Sequence, residues 1–180
     1  MAKVAEIKEE IHIPEQVDAQ LTGQQLTIKS EKGELSRVFA NPTISMTLKD
    51  NVLVIQCKQP RRKQKALVGT FAAHINNMIR GVTTGFEYHM KTVFSHFPIK
   101  LSVEGDTFVI QNFLGERAPR HACILSDVNV KIDGDEVIVT GMDKEKVGQT
   151  VANIERATKV KRRDIRVFQD GVYRTSRGGS

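Results

Sequence analysis

The first 60 residues alternate apolar and polar positions in short runs, a pattern typical of β-strands with one buried face. The alternating apolar positions are Val17, Leu21, Leu26, Ile28, Ile44, Met46 and Leu48. Turn-forming residues at 22–23, 32–34 and 50–51 separate the runs, and the apolar run 52–55 is expected to be a buried strand. Residues 1–10 are expected to form a short lead. The pattern predicts an antiparallel meander.

A helical periodicity begins after Pro60, directly behind a basic run at 61–65. Its apolar positions share one helix face and are Leu67, Phe71, Ile75, Met78 and Ile79. Gly81 is predicted to stop this helix. The helix is therefore expected to cover one face of the strands before it.

The same order of elements returns from Pro98 onwards, which indicates an internal repeat. Residues 26–28 match 108–110 and residues 33–34 match 115–116, in both cases 82 positions apart; 52–54 match 137–139 and 68–69 match 147–148. Gly115 is therefore expected in a hairpin turn, as is Gly33. The second helix is predicted to start at the N-cap Asp143, with an inner face of Val147, Val151 and Ile154.

The repeat predicts an α+β protein with two tandem copies of one unit, each a small, mostly antiparallel sheet covered by one helix. The stretch 85–98 follows the first helix as 164–173 follows the second. The domain boundary is therefore expected near Val82 or near Pro98. We divide the chain into 1–82 and 83–180, and the second part includes a basic C-terminal tail.

Composition favours an ordinary globular protein of a reducing compartment. Hydrophobic residues make up 39% and charged residues 27% of the 180 positions. The two cysteines, Cys57 and Cys123, lie far apart with no CxxC pair, which is typical of cytosolic proteins. The acidic residues among the first ten are unlike a signal peptide, and no apolar run is long enough to span a bilayer.

The net charge of +6 is concentrated in two blocks. Residues 61–100 carry +6 and residues 161–180 carry +4, whereas 1–60 carry −1 and 101–160 carry −3. An even spread of charge would favour a solvated surface, but concentrated blocks favour a polyanionic partner. Nucleic acid is the commonest such partner in the cytosol.

The basic segment, residues 161–177, interleaves basic and apolar residues. Ile165, Val167 and Phe168 are expected to anchor a strand to the core, and Asp170-Gly171 is expected to form a turn in which glycine adopts positive φ. Arginines fixed in this way would bind phosphates through their planar forks. The predicted RNA-binding residues of the segment are Lys161, Arg162, Arg163, Arg166, Tyr173, Arg174 and Arg177. Tyr173 is either a core-edge residue or a stacking platform.

Two further groups are candidates for RNA contact. The block Arg61, Arg62, Lys63 and Lys65 precedes a helix N-terminus, where backbone N–H groups also favour an anion. Charge alone leaves this block open between RNA contact and a solvated loop. Arg117 and Arg120 lie in a loop of the second repeat with Gly115 and Pro119, which favours RNA contact.

Three motifs resemble those of a known family. They are G-F-E-Y-H-M-K-T-V-F-S-H-F-P-I at 85–99, N-F-L-G-E at 112–116, and R-x-F-x-D-G-V-Y at 166–173. With the duplication, they make essentially the whole chain similar to ribosomal protein six of the large subunit. The D-G-V-Y ending resembles the archaeal form and its eukaryotic counterpart, large-subunit protein nine; the bacterial P-Y-K-G-K-G motif is absent.

The resemblance implies a non-enzymatic, cytoplasmic component of the large ribosomal subunit without a cofactor. It implies that the second repeat binds large-subunit ribosomal RNA close to the sarcin-ricin loop, beside neighbouring ribosomal proteins and the surface where translational GTPases dock. The basic positions of the tail are almost all arginine in this chain. Arginine favours bidentate contacts with phosphate.

Other function classes are weakly supported by the residues. His89 with His96, and His121 with Cys123, are the groupings closest to a metal site, but no metal-binding motif accompanies them. Strand alternation is expected to put His89 and His96 on opposite faces. A free-standing single-stranded RNA-binding protein is the nearer alternative, although few aromatic residues are present for stacking. A metal-dependent hydrolase is the remote alternative.

Overall fold

The computed structural model describes residues 6–49 and 51–178, with Arg177 and Gly178 described by their backbone alone. The predicted lead at residues 1–5, Asp50 of the predicted turn, and residues 179–180 lie outside this range. The contacts divide the chain into two compact units between Thr84 and Gly85. The predicted domains, 1–82 and 83–180, stay a prediction about which fragments fold separately.

The first unit contains two three-stranded antiparallel sheets and one helix. Its elements are β1 (Glu6–His12), β2 (Asp18–Thr22), β3 (Gln25–Ser30), β4 (Gly33–Val38), β5 (Ser45–Lys49), β6 (Val52–Lys58) and α1 (Arg62–Thr83). One sheet has the order β1-β6-β5 and the other β2-β3-β4. The antiparallel strands are therefore confirmed, but they form two sheets, and only β2-β3-β4 is a meander. Residues 6–10 of the expected lead belong to strand β1, whose alternation is hidden by glutamates and a lysine.

Helix α1 packs against β1, β3 and β6 and closes the core of the first unit. Its predicted apolar face is confirmed, because Phe71, Ile75, Met78 and Ile79 are buried together with Leu26 and Leu53. Gly81 does not stop the helix; it is a buried position within the last turn. The chain instead leaves the helix at Thr84 and Gly85, where Gly85 has a φ of 81°, a conformation that glycine adopts without steric cost.

The second unit repeats this arrangement with one additional strand. Its elements are β7 (Phe86–Val93), β8 (Lys100–Glu104), β9 (Thr107–Gln111), a 3₁₀ turn (Phe113–Gly115), β10 (Arg120–Cys123), β11 (Val128–Asp133), β12 (Glu136–Gly141), α2 (Lys144–Ala157) and β13 (Gly171–Gly178). The sheets have the orders β10-β9-β8 and β11-β12-β7-β13. Each repeat thus has two small sheets, and the α+β class with its duplication is confirmed.

The sequence repeat and the structural unit are out of phase by one strand. β7 follows α1 in the chain as β13 follows α2, yet β7 pairs with β12 and β13 in the second unit. In the first unit β1 takes the equivalent position and pairs with β6. The stretch 85–98 thus follows α1 in the chain as 164–173 follows α2, but it packs in the second unit. Of the two expected boundaries, near Val82 and near Pro98, the packing of β7 follows the one near Val82.

Helix α2 begins as the sequence predicts. The Asp143 side chain accepts a hydrogen bond of 2.8 Å from the backbone N–H of Glu145, which satisfies one of the free donors of the first turn. Val147, Val151 and Ile154 are buried on the inner face. Gly115, by contrast, lies in the 3₁₀ turn of a longer β9–β10 connection and not in a tight hairpin turn.

Candidate RNA-binding surface

The first ten residues of the basic segment, 161–170, form turns and bends instead of the expected strand. Ile165 and Val167 are 68% and 59% exposed, so they do not anchor the segment. Phe168 is partly buried against the core of the second unit, and Val172 is fully buried. The anchors are thus Phe168 and the start of β13. The apolar residues of the segment therefore led to an expectation of more burial than the structure shows. Alternation of apolar and polar residues predicts burial only where the backbone is an extended strand.

Asp170 fixes the end of the turn region. Its carboxylate is fully buried, and its Oδ1 accepts a hydrogen bond of 3.3 Å from the backbone N–H of Ser95. Two residues later, the backbone N–H of Val172 donates to the Oγ1 of Thr158, the C-cap of α2. These two bonds tie the basic segment to the segment after β7 and to the end of α2.

Gly171 packs closely against Tyr173 and does not adopt a positive φ. Among the glycines with positive φ in the described chain, Gly171 is absent, so the expected glycine turn is wrong. A Cβ at this position would lie 2.9 Å from two ring atoms of Tyr173. The Tyr173 hydroxyl donates to the backbone carbonyl of Gln169 at 3.1 Å, and the ring remains 47% exposed. Tyr173 therefore lies at the edge of the core, with about half of its side chain accessible to solvent.

Arg163 is held in place by an aromatic ring. Its guanidinium carbon lies 4.8 Å from the centroid of the Phe168 ring, within the range of a cation–π contact. The ring of His96 lies 5.7 Å from the same Phe168 ring. Arg162 has a φ of 58°, a conformation uncommon for a residue with a side chain. Lys161, Arg162 and Arg163 are all exposed.

Arg166 is held by a carboxylate of the same segment. Its Nε and Nη2 donate to Asp164, with an Nη2–Oδ2 distance of 2.7 Å. This hydrogen bond lowers the pKa of Asp164 and raises the pKa of Arg166. Since the Arg166 side chain is highly exposed, the pair orients the guanidinium at the surface. A phosphate that binds Arg166 would share or replace this carboxylate.

Arg120 is used inside the fold. Its Nε and Nη2 donate to both carboxylate oxygens of Glu116, its Nη1 donates to the carbonyls of Ala157 and Lys159 at 2.9 Å, and its guanidinium lies 4.2 Å from the centroid of Phe113. Arg120 thus connects β10 to the end of α2. The sequence did not distinguish it from Arg117, because the acceptors come from distant parts of the chain.

Arg117 is exposed and directly follows Glu116 in the β9–β10 connection. The hydrogen bond from Arg120 lowers the pKa of the adjacent Glu116, partly opposed by burial, and the positive charges of Arg120, Arg163 and Lys161 lower it further. The field of Lys161 and Arg163 therefore reaches the loop that carries Arg117. Through Arg120, which also donates to the Lys159 carbonyl, this loop lies beside the start of the basic segment.

The three motifs of the sequence meet beside this surface. The Asn112 side chain donates to the carbonyl of Pro98 at 3.0 Å, and the ring of Phe97 lies against Gly115. Asp170 in turn holds Ser95. The motifs therefore form the framework from which the basic side chains project.

Strand β13 positions the last arginines. Arg174 pairs with Met90, its backbone N–H donates to the Glu155 carboxylate at 3.0 Å, and its side chain is exposed. The backbone of Arg177 pairs with Tyr88 beyond a register shift between Arg174 and Ser176. The ladder fixes the backbone positions of both arginines.

Comparisons with known proteins agree with the duplicated fold. The family model of ribosomal protein L6 matches residues 13–85 and, separately, 97–171. The chain belongs to the ribosomal protein L6 family. Large ribosomal subunit protein uL6 of Methanobrevibacter smithii is 52% identical over 98% of this chain and 99% of the relative, and that of Methanothrix thermoacetophila is 51% identical over 94% and 97%. Both relatives are archaeal, as the sequence resemblance indicated.

The two matched ranges repeat the same series of elements in this L6-family chain. Each begins shortly before a three-stranded sheet and ends after a helix, and strand β7 falls between them. The family is structural and non-enzymatic. Membership therefore rules out the hydrolase alternative.

The basic block of the first unit begins at the N-cap of α1 and continues into its first turns. Arg61 is the N-cap, and its backbone N–H donates to the Gln64 side chain at 2.7 Å. Arg62, Lys63 and Lys65 are exposed in the first turns, where no acidic residue is present. Cations at a helix N-terminus oppose the helix dipole, so an external anion would stabilise this end.

His89 and His96, one of the two groupings considered as a metal site, lie in different structural settings. His89 lies 2.7 Å from the Glu87 carboxylate on β7, whereas His96 follows the end of that strand, so the expected strand alternation does not apply to the pair. Within the two described ranges, no three His, Cys, Asp or Glu residues come together as metal ligands. No helix in the same ranges is long and apolar enough to cross a membrane.

Proposed function

We propose that this chain is a structural constituent of the large ribosomal subunit that binds large-subunit ribosomal RNA through its second unit. Family membership supports the ribosomal part of the proposal. The observation that carries the RNA-binding part is the fixed placement of exposed cations. Arg163 is held on Phe168, Arg166 is held by Asp164, and strand pairing holds the backbone of Arg174.

Fixed guanidinium groups suit folded RNA because its helices are recognised through phosphates, 2′-hydroxyls and shape. A guanidinium whose position is set before binding loses less conformational entropy when it meets a phosphate. The surface combines Arg117 with Lys161, Arg162, Arg163, Arg166 and Arg174, and we include Arg177 on account of its place in the sequence. Arg120 contributes by holding the surface together and not by direct contact.

We place the bound RNA near the sarcin-ricin loop, next to the region where translational GTPases dock. The support for this location is the family resemblance of the three motifs. We also expect contacts with neighbouring large-subunit proteins. The first unit, with its cations at the start of α1, is expected to bind RNA more weakly.

Sedimentation tests the ribosomal part of the proposal. The tagged native chain is expected to co-migrate with large subunits in a sucrose gradient and to stay bound through a high-salt wash, because many fixed contacts are made at once. Release into the free fraction at moderate salt would favour the free-standing single-stranded RNA-binding protein instead. The matched control is a variant of the full chain in which five exposed arginines of the second unit are replaced by alanine, at positions 117, 162, 163, 166 and 174. This variant is expected to be lost in the wash.

Chemical probing tests the location. Large subunits with and without the chain are compared for nucleotide reactivity, and protections are expected around the sarcin-ricin loop. Protections confined to a distant region of the subunit, with the chain still bound, would contradict the proposed location and leave the RNA-binding proposal intact.

A further inference from the structure

A groove of about 630 Å³ lies between the end of α2 and the turns of the basic segment. Its apolar lining comes from Ala152, Val160, Ile165, Phe168 and Tyr173. Ile165 and Tyr173 are among the most exposed large hydrophobic side chains of the described chain. Single exposed hydrophobic residues are normal on a protein surface, but these two lie in one concave site.

The charges around the groove select the class of its occupant. Arg156 and Lys159 line it and are exposed, and the basic segment begins two residues after Lys159. The one acidic residue in the lining, Glu155, already accepts the backbone N–H of Arg174. An occupant must therefore carry negative charge and must also present an apolar face.

We propose that this groove binds an unpaired nucleotide of the ribosomal RNA, with its base against Ile165 and Tyr173 and its phosphate at Lys159 or Arg156. This inference rests on the proposed function. A nucleotide combines a flat apolar base with an anionic phosphate, and unstacked bases of RNA are commonly bound on apolar and aromatic side chains. An acidic, apolar segment of a neighbouring protein has similar chemistry, but the adjacent exposed cations of residues 161–166 favour RNA.

The lining also predicts whether the groove distinguishes one base from another. The Tyr173 hydroxyl is bonded to the Gln169 carbonyl, and the Thr158 hydroxyl donates within α2 and accepts from Val172. The Gln169 side chain, which also lines the groove, donates to the Arg166 carbonyl at 3.4 Å. Most of the uncharged donors of the lining are therefore used within the protein. The site is therefore expected to accept any base that is not stacked, so that RNA shape and not base identity selects the nucleotide.

Site-specific cross-linking tests the occupant. A photoreactive phenylalanine analogue replaces Ile165 in the full chain, which is incorporated into large subunits and irradiated. An adduct that shifts on ribonuclease digestion and maps to one unpaired nucleotide is expected. The same analogue at Val103, exposed on β8 away from the groove lining, is not expected to label that nucleotide.

Each other outcome decides against a part of the proposal. An adduct removed by protease and not by ribonuclease would show that a neighbouring protein occupies the groove. Assembled subunits without any adduct at Ile165 would also overturn the nucleotide site while leaving the proposed function standing. If neither the chain with the photoreactive analogue nor the native chain entered large subunits, the proposed function would fail, and the groove proposal with it.

A binding measurement gives a second readout. Because Ile165 is exposed, Ile165→Ala is expected to leave folding unchanged and to weaken binding to the cognate RNA by about fivefold or more. Its salt dependence should not change, since no charge is removed. Val167→Ala, at an exposed position outside the groove lining, is the control. Equal affinity of the two variants for the cognate RNA would contradict the groove site.

Discussion

Asp170 accepts a hydrogen bond of 3.3 Å from the backbone N–H of Ser95, although the two residues are 75 positions apart. The Asp170 carboxylate is fully buried, and its Oδ2 has no hydrogen-bond partner within the described chain. A buried carboxylate is costly unless its oxygens are satisfied. The bond to Ser95 partly offsets this cost, and it holds together the basic segment and the segment that follows β7.

Asp170→Ala is expected to destabilise the protein by about 1–3 kcal/mol, because it leaves the Ser95 amide without its acceptor. Asp170→Asn keeps an acceptor oxygen and removes a buried charge, so it should cost less. Hydrogen exchange at the Ser95 amide measures the local effect and should accelerate in the alanine variant alone. Asp164→Ala, an exposed aspartate of the same segment, is the control. Unchanged Ser95 protection in Asp170→Ala would refute the role of this bond.

The sequence predicted the fold more completely than the site, for physical reasons. Alternation and helical periodicity report burial within one element, so β2, β3, β5, β6 and the inner faces of both helices were predicted correctly. Strand β4 was not, because its first two residues, Gly33 and Glu34, resemble a turn. Strand β1 was missed because Glu6, Glu9 and Glu10 disguise its pattern. The pairing of β7 with β12 was missed because chain order does not determine which sheet a connecting strand joins.

The second prediction concerns pH and the Glu116–Arg120 pair. The pKa of Glu116 is lowered in the folded state, so the contribution of the pair to the free energy of unfolding is fully present above the ordinary pKa of 4.5. It is lost as the pH falls through the lower folded pKa. The stability difference between the native chain and Glu116→Gln should therefore be constant near neutral pH and shrink below about pH 4.5.

Urea denaturation across this pH range measures the difference. Glu104→Gln, at an exposed position on β8, provides the control for loss of a carboxylate. A difference between the native chain and Glu116→Gln that grew as the pH fell would have the wrong sign for a carboxylate stabilised by Arg120.

The third prediction concerns the first turn of α1. Lys63→Glu places a negative charge at a helix N-terminus that has none, and should stabilise the free protein by about 0.3–1 kcal/mol. The same change should weaken RNA binding if the block contacts RNA. Lys49→Glu, an identical charge change on the exposed edge of β5, should leave stability unchanged. Equal losses of RNA affinity in both variants would assign the block to the solvated surface and not to a contact.

The sequence predicted which segment carries the exposed basic residues, but not which groups the arginines bind within the fold. Concentration of arginine in residues 161–177 is visible in the sequence, and the exposed positions of Arg162, Arg163 and Arg166 agree with it. The roles of Arg120 and Glu116 depend on carbonyls of Ala157 and Lys159 that only the fold brings near. No local pattern carries that information.

The fourth prediction is that the two units differ in RNA binding. A fragment of residues 85–180 should bind large-subunit RNA with most of the affinity of the full chain, whereas residues 1–84 should bind weakly. The reason is that the second unit holds its cations on fixed side-chain contacts. Circular dichroism first establishes that both fragments fold. Equal affinities of the folded fragments for the same RNA would contradict the prediction.

The last prediction separates charge from placement in the basic segment. Each arginine of the proposed surface that sits on a phosphate should contribute about 0.7–0.9 to the log-log salt slope of binding, so Arg163→Ala and Arg166→Ala should each lower the slope by that amount. Arg163→Lys keeps the charge and loses the planar fork. It should preserve the slope and weaken affinity by about 1 kcal/mol where the contact is bidentate.

Phe168→Ala removes no charge, yet it should weaken binding through placement alone. The Phe168 ring carries the Arg163 guanidinium and packs partly against the core, so its loss frees Arg163 and loosens the turns of the segment. Affinity for the cognate RNA should fall more than affinity for an unrelated duplex, because a mobile arginine still attracts phosphates but no longer matches their positions. Val167→Ala, at an exposed position of the same segment, should change neither the affinity for the cognate RNA nor that for the unrelated duplex. Salt titrations of both variants against both RNAs measure this; a proportional loss for the two RNAs in folded Phe168→Ala would mean that the segment acts as a loose electrostatic tether.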